Sequence, residues 1–331
     1  RMSSFILHLS VALPLLISSL PIPKSVTKHV KITQTHLHHA QIAAHALLGI
    51  LLILVPSALL ACTVEGDFND LHIFMQSYIG IFHLSISYFL FRHGDSPQSR
   101  PFIFPRLLSA AFSLFTRLFA AWHLSEKSTR GLLISDHFVS SSLIIDGVWL
   151  AAELIRFVRS QETAEDKIND LCAATTRWAE GKGSSYLENA LYIDSFICFG
   201  YALFHFAFPQ NILKLVIRSN LDLDSHHYMW CRLFGALWLT PSLSSLAAIH
   251  ALPSRQIAHL AARLVIQAGL FVLHIWGHWI DPIYSPNHIT AFMVSGFFLS
   301  FHISTYYRFN KLFGDEPRTK VMARVEIKKT K

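Results

Sequence analysis

The sequence predicts an all-α, polytopic membrane protein of about eight transmembrane helices in two tandem four-helix units. Three observations carry this. Of 331 residues, 52% are hydrophobic and 15% are charged, against about 25% charged in an ordinary soluble protein. Eight segments are each long and apolar enough to span a bilayer, which takes roughly 20 residues. Lysine and arginine are distributed unevenly between alternate loops. The same composition excludes a disordered chain, which would be richer in charge. With 14 Gly and 4 Cys, collagen-like and disulfide-scaffold classes are excluded as well.

The expected spans run near Ile42–Cys62, Leu71–Phe91, Phe102–Trp122, Leu132–Phe157, Ala190–Pro209, Tyr228–His250, Gln256–Trp276 and His288–Phe309. They divide the chain into an N-terminal apolar segment with a basic linker (1–41), a first four-span unit (42–157), an amphipathic linker (158–187), a second unit (188–309) and a basic tail (310–331). The apolar run Phe5–Leu20 fits a signal-peptide core, a ninth span or an interfacial segment. In the linker, Ile168, Leu171, Cys172, Thr175 and Trp178 recur at helical spacing. This predicts a short helix lying on the membrane surface.

With eight spans both ends lie on one side, and that side collects 19 Lys and Arg against 4 on the other. The positive-inside bias makes it cytosolic. The formal charge of +7 is therefore spread along membrane-adjacent loops, which points to the lipid bilayer as partner and away from nucleic acid. Lys328 and Lys329 stand four and three places from the end. They resemble the dilysine retrieval signal of endoplasmic reticulum membrane proteins, which a coat protein reads on a cytosolic tail.

The halves repeat one another. An offset of 155 residues superposes His72 on His227, Gly80 on Gly235 and Arg100 on Arg255. Offsets of 152 to 154 superpose Pro56 on Pro209, Trp122 on Trp276 and Arg156-Phe157 on Arg308-Phe309. An even number of spans per unit makes the repeat parallel.

The second half resembles the tumour protein p53-inducible protein 11 family over about Leu187–Arg318. The resemblance rests on Ala207-Phe208-Pro209, on Arg232-Leu233-Phe234-Gly235-Ala236, on Arg255 and on Thr305-Tyr306-Tyr307 before a basic tail. It implies a multi-pass membrane protein without established chemistry. The present chain departs from the family in being doubled, and Ser77-Tyr78-Ile79-Gly80 stands where the first half would carry the Arg-Leu-x-Gly pattern.

Charges within spans are costly, and they are functional candidates. They are Arg106, Arg117, Asp136, Asp146, Glu153, Asp194, Arg232 and Arg263. Counted from the loops, Arg117 matches Asp136 in depth, and Arg106 lies deeper with Asp146 and Glu153. Asp194 and Arg263 share a depth, and Arg232 lies toward Asp222 and Asp224. The 20 His are the unusual count in the composition. His274 and His278 sit one helical turn apart, and His227 falls at the same side of the membrane, a set that zinc or iron would accept. The paired histidine boxes of membrane di-iron enzymes are incomplete here, and the chain has no phosphate loop, dinucleotide fingerprint or nucleophile elbow. No cofactor and no catalytic residue is expected. The leading expectation is a non-catalytic interaction or regulatory protein of the endoplasmic reticulum membrane. The alternatives are a transporter or lipid- or sterol-binding protein, and a metal-dependent lipid-modifying enzyme.

Overall fold

The computed structural model describes residues 34–65, 67–94, 101–126, 133–134, 136–160, 172–173, 176 and 185–313. Phe5–Leu20, most of the expected surface helix and the tail with Lys328 and Lys329 lie outside them. Ten α-helices are described: α1 (Gln34–Leu54), α2 (Pro56–Thr63), α3 (Asp70–His93), α4 (Ile103–Glu126), α5 (Asp136–Arg159), α6 (Tyr186–Ala207), α7 (Pro209–Val216), α8 (Ser225–Ile249), α9 (Pro253–Ile275) and α10 (Ile289–Phe313). Two-residue strands, β1 (Val64–Glu65) and β2 (Leu133–Ile134), pair antiparallel beside α2. A π-helical turn, Trp276–Ile280, extends α9.

Among the described residues, six helices are long and apolar enough to cross a membrane: α1, α3, α4, α6, α9 with its π turn, and α10 with the 3-10 turn before it. Apart from the short strand pair the described chain is helical, and it fits an integral membrane protein. α5 and α8, at 24 and 25 residues, are long enough but more polar. α5 carries Asp136, Asp146, Glu153, Arg156 and Arg159, and α8 carries Arg232, Pro241 and several Ser.

Local chemistry sets the helix ends. Asn69, Ser185 and Asp224 cap α3, α6 and α8, each in a reciprocal capping box with the third residue of its helix. Pro56, Pro209 and Pro253 stand in the first turns of α2, α7 and α9, where a missing N–H costs nothing. Proline also breaks the expected span Ile42–Cys62. Its ring cannot continue the hydrogen-bond ladder, so α1 stops at Leu54 and α2 restarts at Pro56. The lost length is recovered at the front, where α1 begins at Gln34.

α3 and α8 pack against each other at the centre. α1 lies on α3 as α6 lies on α8, and α9 covers α3 as α4 covers α8. α5 and α10 sit outermost, on α4 and α9. Phe82 of α3 meets Trp238 of α8 edge-on at 5.1 Å and anchors the central aromatic core. Glycine permits the two closest crossings. A Cβ on Gly80 would stand 2.9 Å from the Gly49 carbonyl oxygen, and one on Gly235 would stand 2.7 Å from the Phe206 nitrogen and 2.8 Å from the Ala202 oxygen. Backbone cannot yield as a flexible side chain does, so close packing requires Gly at these sites.

Replacing Gly235 by Ala therefore forces α6 and α8 apart, at a cost of about 1–3 kcal/mol. A lower Tm in detergent micelles is expected for Gly235→Ala. Gly200→Ala, whose added Cβ meets nothing within 4 Å, should leave Tm unchanged or raised. Equal Tm for both variants would contradict the packing described.

Candidate functional site: a buried charge cluster under an apolar cavity

In the first half the intramembrane charges are gathered between α1, α4 and α5. Arg106 donates to Glu153 through Nε at 2.8 Å and Nη2 at 3.2 Å, and the two are 1% and 0% exposed. Gln41 donates to Glu153 Oε1 at 3.2 Å and accepts from Arg156 Nη1 at 2.7 Å. Arg117 Nε lies 2.5 Å from Asp146 Oδ2. Depth counted from the loops pairs Arg117 with Asp136, and the structure corrects this. α4 continues four residues past the expected Trp122, to Glu126, and α5 begins four residues after the expected Leu132, at Asp136, so both depths were counted from the wrong helix ends. Arg117, nine residues from the end of α4, then comes level with Asp146, ten residues into α5. The Asp136 side chain lies outside the described set.

At the loop end of α3 and α8 the histidines form a reciprocal latch. The Asn69 N–H donates to His72 Nδ1 at 3.1 Å, and His72 Nε2 donates to Asp224 Oδ2 at 3.0 Å. The Asp224 N–H donates to His227 Nδ1 at 3.1 Å, and His227 Nε2 donates to Asn69 Oδ1 at 3.1 Å. Each cap thus holds its own helix and grips the histidine of the other, and a single tautomer, protonated at Nε2, satisfies all four contacts. Burial alone would raise the Asp224 carboxyl, but the imidazoles of His227 and His72 beside it outweigh this and hold the group well below the usual carboxylate range.

Ligand atoms of His72, Asp224 and His227 lie within 4.8 Å of one another, close enough to share a metal ion. Two features oppose a cation there. Both Nε2 protons are already donated, and two helix N-termini converge on the spot, where their dipoles favour the Asp224 anion. Among the described residues the predicted set His227, His274 and His278 does not come within ligand reach of one ion. His227 is in the latch, and His274 at the end of α9 and His278 in the π turn lie around His288, with His278 Nε2 at 2.9 Å from His288 Nδ1. Arg232 is half-buried in α8, and Asp224 faces the histidines.

In the second half the charges converge on Asp194, which is 2% exposed in α6. Arg263 of α9 donates to both its oxygens, through Nε at 2.8 Å and Nη2 at 2.7 Å. Ser245 of α8 donates at 2.6 Å, and His302 Nε2 of α10 at 2.9 Å. His259 completes the group at 2.8 Å from Ser245 Oγ. One carboxylate thereby ties four helices together.

Above this cluster lies a cavity of about 250 Å³. Its walls are Tyr78 of α3, Cys198 and Tyr201 of α6, Phe234 and Trp238 of α8, Gln267 and Leu270 of α9, and Ser295 and Phe298 of α10. Arg263 lines its floor. α6 and α10 meet at the floor end, where His302 reaches Asp194 and Tyr186 stacks on Phe309 at 6.3 Å. Toward the other end the cavity lies between them. There α7 forms the roof, sewn to the segment after the π turn by Ser285 N–H to Val216 O at 2.8 Å and Arg218 N–H to Ile283 O at 3.0 Å. The Tyr78 and Tyr284 hydroxyls hydrogen-bond beneath it. Four buried polar atoms of lining residues have no partner among the described residues: Arg263 Nη1, Trp238 Nε1, His274 Nδ1 and Ser295 Oγ. Unsatisfied buried polar atoms cost about 1–3 kcal/mol each, so four along one small cavity mark it as a place for a polar-headed occupant.

Gln41, His302, Ser245 and Trp238 are absent from the sequence-based candidates because neutral or aromatic residues in a span read as packing. The pattern Asn69-x-x-His72 matched by Asp224-x-x-His227 was a usable signal for the latch.

Asp224 has a depressed carboxyl, so the stability it contributes is fully present above its unfolded value of about 3.9 and is lost as pH falls further. Asp224→Asn is expected to lower Tm at pH 7, with the difference from the parent shrinking below about pH 4. A difference that is constant from pH 7 to pH 3 would contradict the latch.

Comparison with known proteins gives one match: residues 39–306 fit the model of a family described as a domain of unknown function, DUF8292. No curated protein and no solved structure matches the chain. Since the match covers more than half of the sequence, the chain belongs to the DUF8292 family.

Proposed function

We propose that this protein is a non-catalytic, multi-pass resident of the endoplasmic reticulum membrane that binds a small apolar molecule in a cavity formed mainly by its second four-helix unit. The cavity carries the reading: about 250 Å³, walled mainly by aliphatic and aromatic side chains, with a few convergent polar groups. Ligand sites have this make-up, and its volume falls just below their usual range of ~300–1,000 Å³. The occupant is therefore small, or leaves part of itself between α6 and α10 in the lipid. Among the alternatives expected from the sequence, lipid binding is thus the one with a site to match.

Eight crossings in two tandem units form part of the proposal. Supporting it, α1–α2 and α6–α7 are both broken at a proline, Pro56 and Pro209, and the caps Asn69 and Asp224 lie 155 positions apart. Neighbour relations are also exchanged between halves, α3 with α9 and α8 with α4. The excess of Lys and Arg on one side supports cytosolic ends, and Lys328-Lys329 supports retrieval by a coat protein. Kinship with the tumour protein p53-inducible protein 11 family stays a proposal, supported by Ala207-Phe208-Pro209 at the α6–α7 break and by Gly235 at the closest crossing.

The test is the identity of small molecules that remain on the purified full-length chain. Native mass spectrometry should find one bound lipid-like species on the parent, and Ala291→Phe, which fills the cavity from α10, should release it with Tm unchanged or raised. Equal occupancy in parent and variant would overturn the reading.

A further inference from the structure

We propose that the occupant is a single-chain fatty acid, its carboxylate set between Arg263 Nη1 and Trp238 Nε1. This deepens the binding reading above and rests on it.

The first ground is donor geometry. Arg263 spends Nε and Nη2 on Asp194 and leaves Nη1 without a partner, although the residue is 1% exposed. Trp238, 2% exposed, also has Nε1 unpartnered, and the Arg263 guanidinium sits 5.3 Å from the centre of its ring. Both groups are donors and neither can accept. The missing partner is therefore an acceptor, and one carboxylate offers two acceptor oxygens.

The second ground is charge. Arg263 lines the cavity floor as a permanent cation, with Nε and Nη2 already committed to Asp194 and Nη1 left over. A charged donor binds an ionised acceptor more strongly than it binds a neutral one, so an anionic head satisfies Nη1 better than an alcohol or a sterol hydroxyl.

The third ground is shape. About 250 Å³ exceeds the ~150 Å³ of an engineered apolar cavity that takes up benzene, which leaves room for a hydrocarbon chain. The walls above Arg263 are mainly apolar up to the α7 roof, and they are shared between α6 and α10, so a longer tail would leave between these two helices toward the bilayer.

The experiment compares decanoate, 1-decanol and decane as ligands of the purified full-length chain in maltoside micelles at pH 8, read as the concentration dependence of Tm. Decanoate is expected to bind at least tenfold more tightly than decanol. Trp238→Phe, which keeps an aromatic ring and removes the N–H, should weaken decanoate several-fold more than it weakens decane. Equal affinity for decanoate and decanol, or a Trp238→Phe variant that binds decanoate like the parent, would overturn the fatty-acid assignment while leaving an apolar site. Failure of all three ligands to shift Tm would overturn the binding reading itself.

Discussion

Charge buried in an apolar bundle is the constraint on which the rest of this structure depends. A lone carboxylate or guanidinium away from water costs several kcal/mol even after relaxation, and removing one member of a buried pair typically costs 3–5 kcal/mol. Arg106 must therefore find Glu153, and Arg263 must find Asp194. The first condition fixes α4 against α5. The second is stricter, because Asp194 also takes Ser245 and His302 and so draws α6, α8, α9 and α10 to one point. Apolar contacts alone could slide along these helices with little penalty. Directed, desolvated hydrogen bonds cannot, and they set both the neighbours and their register.

The two halves meet this constraint with the same geometry and different residues. On the first helix of each half a polar side chain faces inward, Gln41 in α1 and Asp194 in α6. Around Gln41 the carboxylate is carried by α5 and the charges fill the interior. Around Asp194 the carboxylate is carried by α6 and the space above it is open. The cavity follows from that difference: α6 and α10 are held together at the floor by His302 and, among the described residues, are bridged at the other end by the α7 roof and its backbone bonds to the segment after the π turn. The reciprocal caps of Asn69 and Asp224 keep α3 and α8 in step at the centre, so the opening is confined to the outer helices.

Much of the fold was legible in the sequence. Each expected span overlaps a long described helix, and six of these helices are apolar enough to cross a membrane, because hydropathy reports the same quantity that the bilayer demands. The intramembrane charges stood out for the same reason. Partner assignment failed for Arg117 because depth was counted from the wrong helix ends: four residues past Trp122 belong to α4, and four after Leu132 precede α5. The kink at Pro56 was readable from proline alone. What could not be read was convergence. His302 looks like one more interfacial histidine until α10 is placed beside α6, and Trp238 looks like core packing until its N–H is seen to lack a partner. A cavity is an absence of side chains, and no residue in the sequence announces it.

The most direct test of the central claim is a double-mutant cycle on Arg263 and Asp194, read as Tm and monodispersity of the purified chain. Arg263→Met and Asp194→Leu alone should each destabilise strongly, since each leaves an unpaired buried charge. Together they should recover a large part of the loss, because the double variant strands neither partner of the pair. Losses that simply add, or single variants as stable as the parent, would contradict the view that this pair fixes the second half of the bundle.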